Sequence, residues 1–140
     1  MAENKKKILI PLDGTERSLH SIDYVKELFR KEDVTITLLN VLEIVIINDM
    51  MLSDTVVTNT QQESKATLEK AKARLQGYDV KTTSTFGYAA DEILRKAREE
   101  KFDIIVMTKS SKKGLARLIG SVTRKVLQEI THSLLVVVPE

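Results

Sequence analysis

Two short segments combine residue types that can bind a ligand. Asp13-Gly14-Thr15 follows an apolar run near the amino terminus. An aspartate there either caps its own turn or presents a carboxylate to whatever lies beyond the strand. Far along the chain, Gly120-Ser121-Val122-Thr123 opens a helical pattern. The first N–H groups of a helix lack partners and sit at the positive end of its dipole. Such a start suits a phosphate: a glycine lets the backbone come close, and Ser121 and Thr123 add hydroxyls. The same residues also make an ordinary helix start, with Ser121 capping it and Gly120 forming the turn. Between Thr108 and Lys125 stand six basic residues, Lys109, Lys112, Lys113, Arg117, Arg124 and Lys125, and no acid. This pattern favours an anion over the loop, and it equally describes a solvated basic surface.

Other chemistries lack their residues. The absence of cysteine excludes a disulfide framework, a thiolate metal site and a thiol nucleophile. His20 and His132 have no partner at a metal-ligand spacing, so no metal is expected. Neither G-x-G-x-x-G after a strand, nor G-x-x-x-x-G-K-[ST], nor G-x-S-x-G occurs. No catalytic residue is assigned.

The elements that must position these segments follow from hydrophobic spacing. Ile8-Leu-Ile-Pro-Leu12 reads as a buried first strand, and Leu19, Ile22, Val25, Leu28 and Phe29 recur at helical spacing over 18–30, with Thr15 or Ser18 as the cap. Residues 34–41, β-branched and almost continuously apolar, predict a strand covered on both faces. Residues 42–59 show no clean period, although Ile44-Val-Ile-Ile47 and Met50-Met-Leu52 are apolar enough to need cover. A helix over 63–76 buries Leu68, Ala71 and Leu75 and ends at Gly77. Residues 80–86 alternate weakly, as in a third strand at a sheet edge, with Val80, Thr82, Ser84 and Phe86 on one side. A third helix over 91–100 turns Ile93, Leu94 and Ala97 inward, and residues 102–107 form a buried fourth strand. The loop 108–119 leads to a fourth helix with Val122, Val126, Leu127 and Ile130 on one face, and 133–138 is the last strand, ended by Pro139. Strands alternating with helices call for an α/β fold, a parallel sheet with helices on both faces. Ligands of such sheets bind beyond the carboxyl ends of the strands, where strand order reverses. The ends of strands one, two and four place Asp13, Val41, Thr108 and the Gly120 helix start there.

The 140 residues, 42% hydrophobic and 30% charged, fit one globular domain over 1–140. The formal charge of +2 owes much to Lys5, Lys6 and Lys7, so no nucleic-acid partner is implied. The apolar run after Lys7 is too short for a signal core or a membrane span, which predicts a cytoplasmic location without membrane attachment.

Taken together, Ile8-Leu-Ile-Pro-Leu-Asp-Gly-Thr-Glu-Arg-Ser18, Gly114-Leu-Ala-Arg-Leu-Ile-Gly-Ser-Val-Thr-Arg-Lys-Val-Leu127 and Leu134-Leu-Val-Val-Val138 closely resemble the universal stress protein family, and the elements between them keep its order. The resemblance implies a five-stranded parallel sheet in the order 3-2-1-4-5, of the Rossmann-like or adenine nucleotide alpha hydrolase-like kind. It also implies a homodimer through the last strand, here Leu134, Leu135, Val136, Val137 and Val138, an apolar edge that otherwise invites aggregation. ATP-binding members carry G-x2-G-x9-G-[ST]. By resemblance the nucleotide site comprises Pro11, Asp13, Val41, Thr108, Ser111, Gly120, Ser121, Val122 and Thr123, with ATP or AMP and Mg²⁺ as the ligand. Asp13 and the Val41 backbone would hold the adenosine. Here Thr108 and Ser111 stand where the first two glycines belong, and eight residues, not nine, separate Ser111 from Gly120. If binders need positive φ at those glycines, the side chain costs on the order of 1 kcal/mol or more and crowds the phosphate path. The resemblance thus implies a stress-response dimer acting through contacts with an unidentified protein partner, with weak or absent ATP binding. The alternative is an ATP-binding switch or slow ATPase.

Overall fold

A computed structural model describes residues 4–43, 54–109 and 119–139, with the side chains of the second helix described from Thr60 onward. The strands are β1 (Lys6–Leu12), β2 (Val34–Leu42), β3 (Asp79–Phe86), β4 (Ile104–Thr108) and β5 (Leu134–Val138), and the helices are α1 (His20–Leu28), α2 (Asp54–Ala73), α3 (Ala89–Glu99) and α4 (Ser121–Glu129). All strand pairs are parallel and the order is β3-β2-β1-β4-β5, as the resemblance implied.

Period-two alternation divides the core between the sheet's faces. Ile8, Ile10, Val34, Ile36, Leu38, Ile104 and Val106 point to one side and meet Leu19, Ile22 and Val25 from the α1 region and Leu68, Ala71 and Leu75 from the α2 region. Leu9, Leu39, Ile105 and Met107 point to the other, under Ala90, Ile93 and Ala97 of α3 and Val126 of α4. Two helices therefore cover each face.

Departures from the expected elements have physical causes. α2 begins at Asp54, well before the expected start at Glu63. Thr55, Val56, Val57, Thr58 and Thr60 give that stretch weak helical propensity and no clear stripe. The apolar runs at 44–47 and 50–52 lie outside the described residues. Leu28 ends α1 and is 62% exposed, and Leu127 is half exposed, so neither completes the stripe that its spacing suggested. β3 forms one edge, where Ser84 on it shares a 2.7 Å hydrogen bond with the buried Ser64 of α2. Gly77 takes φ +90 after the last turn of α2, a conformation that glycine tolerates and other residues do not. Tyr78 then donates its hydroxyl to the Phe29 carbonyl at 2.7 Å and ties that turn to the end of α1.

At the opposite end of the sheet, Asn40 of β2, 7% exposed, donates Nδ2–H to the Leu12 carbonyl at 2.7 Å. This bond fixes the end of β1 just before Asp13. Removing one partner of a buried hydrogen bond costs about 1–3 kcal/mol. Asn40→Ala is therefore expected to lower the unfolding free energy by about that amount in a urea titration, and an unchanged midpoint would show that the Leu12 carbonyl needs no such partner.

Candidate functional site

The site exists because β1 and β4 part company. β1 pairs with β2 through the whole run from Lys6↔Val34 to Leu12↔Asn40. With β4 it pairs only at Ile8↔Ile104 and Leu9↔Ile105. The N–H of Lys7 donates to the Asp103 carboxylate and the Lys7 carbonyl accepts from the Asp103 N–H, so the odd-numbered peptide groups of β1 face β4. The next odd positions are Leu9 and Pro11. Pro11 has no N–H, so the ladder cannot continue there, and beyond it a crevice opens between the ends of the two strands.

One bank is the turn after β1. Asp13 Oδ1 accepts the Thr15 N–H at 2.9 Å and the Thr15 hydroxyl at 2.6 Å. Thr15 Oγ1 accepts the Ser18 N–H at 3.2 Å, and the Ser18 hydroxyl donates back to the Thr15 carbonyl at 2.8 Å. Gly14 sits at φ +89, where a side chain would be strained. Both readings of Asp13 hold: it builds the turn, and it lines the crevice. Lys70 of α2 braces the turn from outside through Glu16, and its hydrogen bond holds the Glu16 carboxyl below the usual carboxylate range.

The other bank is the start of α4. The Gly120 N–H donates to the Lys109 carbonyl at 2.8 Å, and the Thr123 hydroxyl donates to the Thr108 carbonyl at 2.9 Å. Thr123 is 4% exposed, so its hydroxyl chiefly locks α4 to the end of β4. Ser121 is exposed, and the helix has no side-chain cap, which leaves the amides of Ser121, Val122 and Thr123 as the donors of the first turn without a partner among the described residues. Gly120, at φ −63 and ψ 157, adopts a backbone open to any residue, so its contribution is the missing side chain. Thr108 closes β4, and Lys101 is the one described non-glycine residue at positive φ. The strain considered for a Thr at the first glycine position therefore does not arise.

A cavity of about 290 Å³ occupies the crevice. The expected residues Pro11, Asp13, Val41, Thr108, Gly120, Ser121, Val122 and Thr123 all line it. Ser111 lies outside the described residues, as do Lys112, Lys113 and Arg117. The cavity also uses Leu39, Ile93 and Met107, which no motif signalled and which form an apolar floor, while Arg124, one of the six cations between Thr108 and Lys125, stands at the α4 bank. A strand residue facing a crevice looks, in sequence, like one facing the core. Of the cations counted between 108 and 125, Lys125 is taken by Asp91 of α3 at 2.6 Å, a hydrogen bond that raises the ammonium's pKa. Among the described residues no group of three His, Cys, Asp or Glu side chains could hold a metal, and no helix is long and apolar enough to cross a membrane.

Three known proteins are similar to this chain. Universal stress protein MJ0531 of Methanocaldococcus jannaschii is 34% identical over 139 residues, covering 94% of this chain and 81% of its own. The solved structure of hypothetical protein MJ0577 superposes with a TM-score of 0.79 at 26% identity, covering 96% of each chain. A universal stress protein crystallised in complex with cAMP has the same fold, with a TM-score of 0.73 at 19% identity, over 96% of this chain and 97% of that one. The family description "Universal stress protein family" matches residues 5–138, and the chain belongs to that family.

Proposed function

We propose that this stress protein holds an adenine nucleotide in the crevice between β1 and β4, accepts a nucleoside monophosphate more readily than ATP, and acts as a dimer. The observation that carries the reading is the shared cavity: Asp13 lines it on one bank and the unpaired amides at the start of α4 on the other. Carboxylates accept sugar hydroxyls, helix starts accept phosphate, and the apolar floor suits a base. The fold relative crystallised with cAMP supports the ligand class. The altered loop sets the preference. Thr108 and Ser111 replace two glycines of the triphosphate-wrapping motif, which leaves the helix start as its intact part.

Ligand binding to the folded state alone stabilises it by about 2.7 kcal/mol at a hundred times the dissociation constant. Thermal unfolding with AMP or ATP, with and without Mg²⁺, tests the reading. AMP is expected to raise the melting temperature more than ATP at equal concentration, and Asp13→Ala to remove most of the shift. Since Asp13 also caps its turn, the comparison is of shifts and not of absolute temperatures. A curve that neither nucleotide moves at millimolar concentration contradicts the proposal.

Dimerisation has its own observation. β5 lies at the sheet edge opposite β3, and Leu134 on it is 63% exposed. An apolar edge strand with open hydrogen-bonding groups is a template for a second copy. Leu134, Leu135, Val136 and Val137 would supply side chains to that contact, whereas Val138, 1% exposed, would supply backbone only. In sedimentation the wild type is expected to run as a dimer and Leu134→Lys as a monomer. A monomeric wild type would exclude the interface.

A further inference from the structure

The cavity is electrically lopsided. The Asp13 carboxylate stands on the β1 bank, and on the α4 bank Arg124 reaches the cavity from the first turn of the helix. The Arg124 backbone N–H is bonded to the Gly120 carbonyl at 2.9 Å, so only its guanidinium can meet a ligand. That group is exposed, and among the described residues its one hydrogen bond is stretched, from Nη2 to the Ile119 carbonyl at 3.5 Å, the outer limit of a hydrogen bond. Its neighbour Lys125 is held by Asp91, whereas no ion pair is formed by Arg124 among the described residues. Of two adjacent cations, the one that faces α3 is neutralised and, among the described residues, the one that faces the crevice is not.

We infer that Arg124 makes this site select phosphorylated ligands: its guanidinium binds the phosphate of a nucleotide seated between β1 and α4, and thereby discriminates AMP from adenosine. The inference rests on the nucleotide reading above. The amides of Ser121, Val122 and Thr123 are neutral donors aimed by the helix, whereas Arg124 brings a full charge and a planar fork that matches two phosphate oxygens. The ribose end, at Asp13, is served equally by nucleoside and nucleotide.

Calorimetric titration of AMP and adenosine into the wild type, R124Q, R124K and K125Q tests this. R124Q is expected to weaken AMP on the order of tenfold or more, as loss of a charge-assisted hydrogen bond does, and to leave adenosine unchanged. R124K keeps the charge without the fork and falls between. K125Q removes the same charge one residue away and is expected to leave AMP affinity at the wild-type level. Arg124 is exposed, so R124Q and R124K are expected to melt with the wild type, and K125Q, which loses the surface ion pair with Asp91, only slightly below it, which a thermal scan without ligand checks. Equal AMP affinity in R124Q and wild type, or a loss in K125Q as large as in R124Q, overturns the inference and leaves nucleotide binding standing. A wild type that binds both ligands equally has the same meaning. A wild type that binds neither removes the nucleotide reading and the inference with it.

Discussion

The ladder between β1 and β4 stops at Leu9 and Ile105, and the rest of the site depends on that stop. A parallel sheet satisfies its backbone by unbroken pairing, and β1 achieves this on its β2 side as far as Leu12. On its β4 side the next inward-facing peptide belongs to Pro11, which cannot donate. Two strands buried side by side at Leu9 and Ile105 thus separate toward their carboxyl ends. The separation falls where the strand order reverses, so the chain arrives at the two banks from opposite directions. Residues distant in sequence, Asp13 and Gly120 to Arg124, come to line one cavity.

Each bank is stiffened by bonds that do not need a ligand. Asn40 holds Leu12, Thr15 and Ser18 close the turn on Asp13, and Thr123 and Gly120 fasten α4 to the residues that end β4. The ion pairs of Glu16 with Lys70 and Arg74, and of Asp23 with Arg74, run across the outside of the turn. These groups are solvent-exposed, and such pairs contribute little each. Burial of Leu68, Ala71 and Leu75 is what holds α2 against the sheet. The arrangement is a preorganised one: among the described residues, the donors that the fold leaves for a ligand are the amides opening α4 and the guanidinium of Arg124.

Much of the fold was readable from hydrophobic period. β1, β2 and β4 are continuous apolar runs because both faces are covered, and β3 alternates weakly because it is an edge. The start of α2 was not readable, since β-branched residues with weak helical propensity open it. For the site, Asp13, Val41, Thr108 and the α4 start could be named because strand ends in such a sheet are constrained to one side. The floor of Leu39, Ile93 and Met107 could not, because apolar residues carry no mark of whether they meet a core or a cavity. The fates of Thr123, Arg124 and Lys125 were equally hidden. Their chemistry is evident in the sequence, but whether each group is bonded by Thr108, left at the crevice or claimed by Asp91 depends on tertiary neighbours.

A nucleotide seated in the crevice that opens at Pro11 would touch both banks at once. Backbone amide NMR during an AMP titration tests it most directly. Saturable shifts are expected at Thr15 and at Ser121, Val122 and Thr123 with one common dissociation constant, while amides at the other end of the sheet, around Phe29 and Tyr78, stay unmoved. Shifts confined to one bank, or centred on Phe29 and Tyr78, would contradict it.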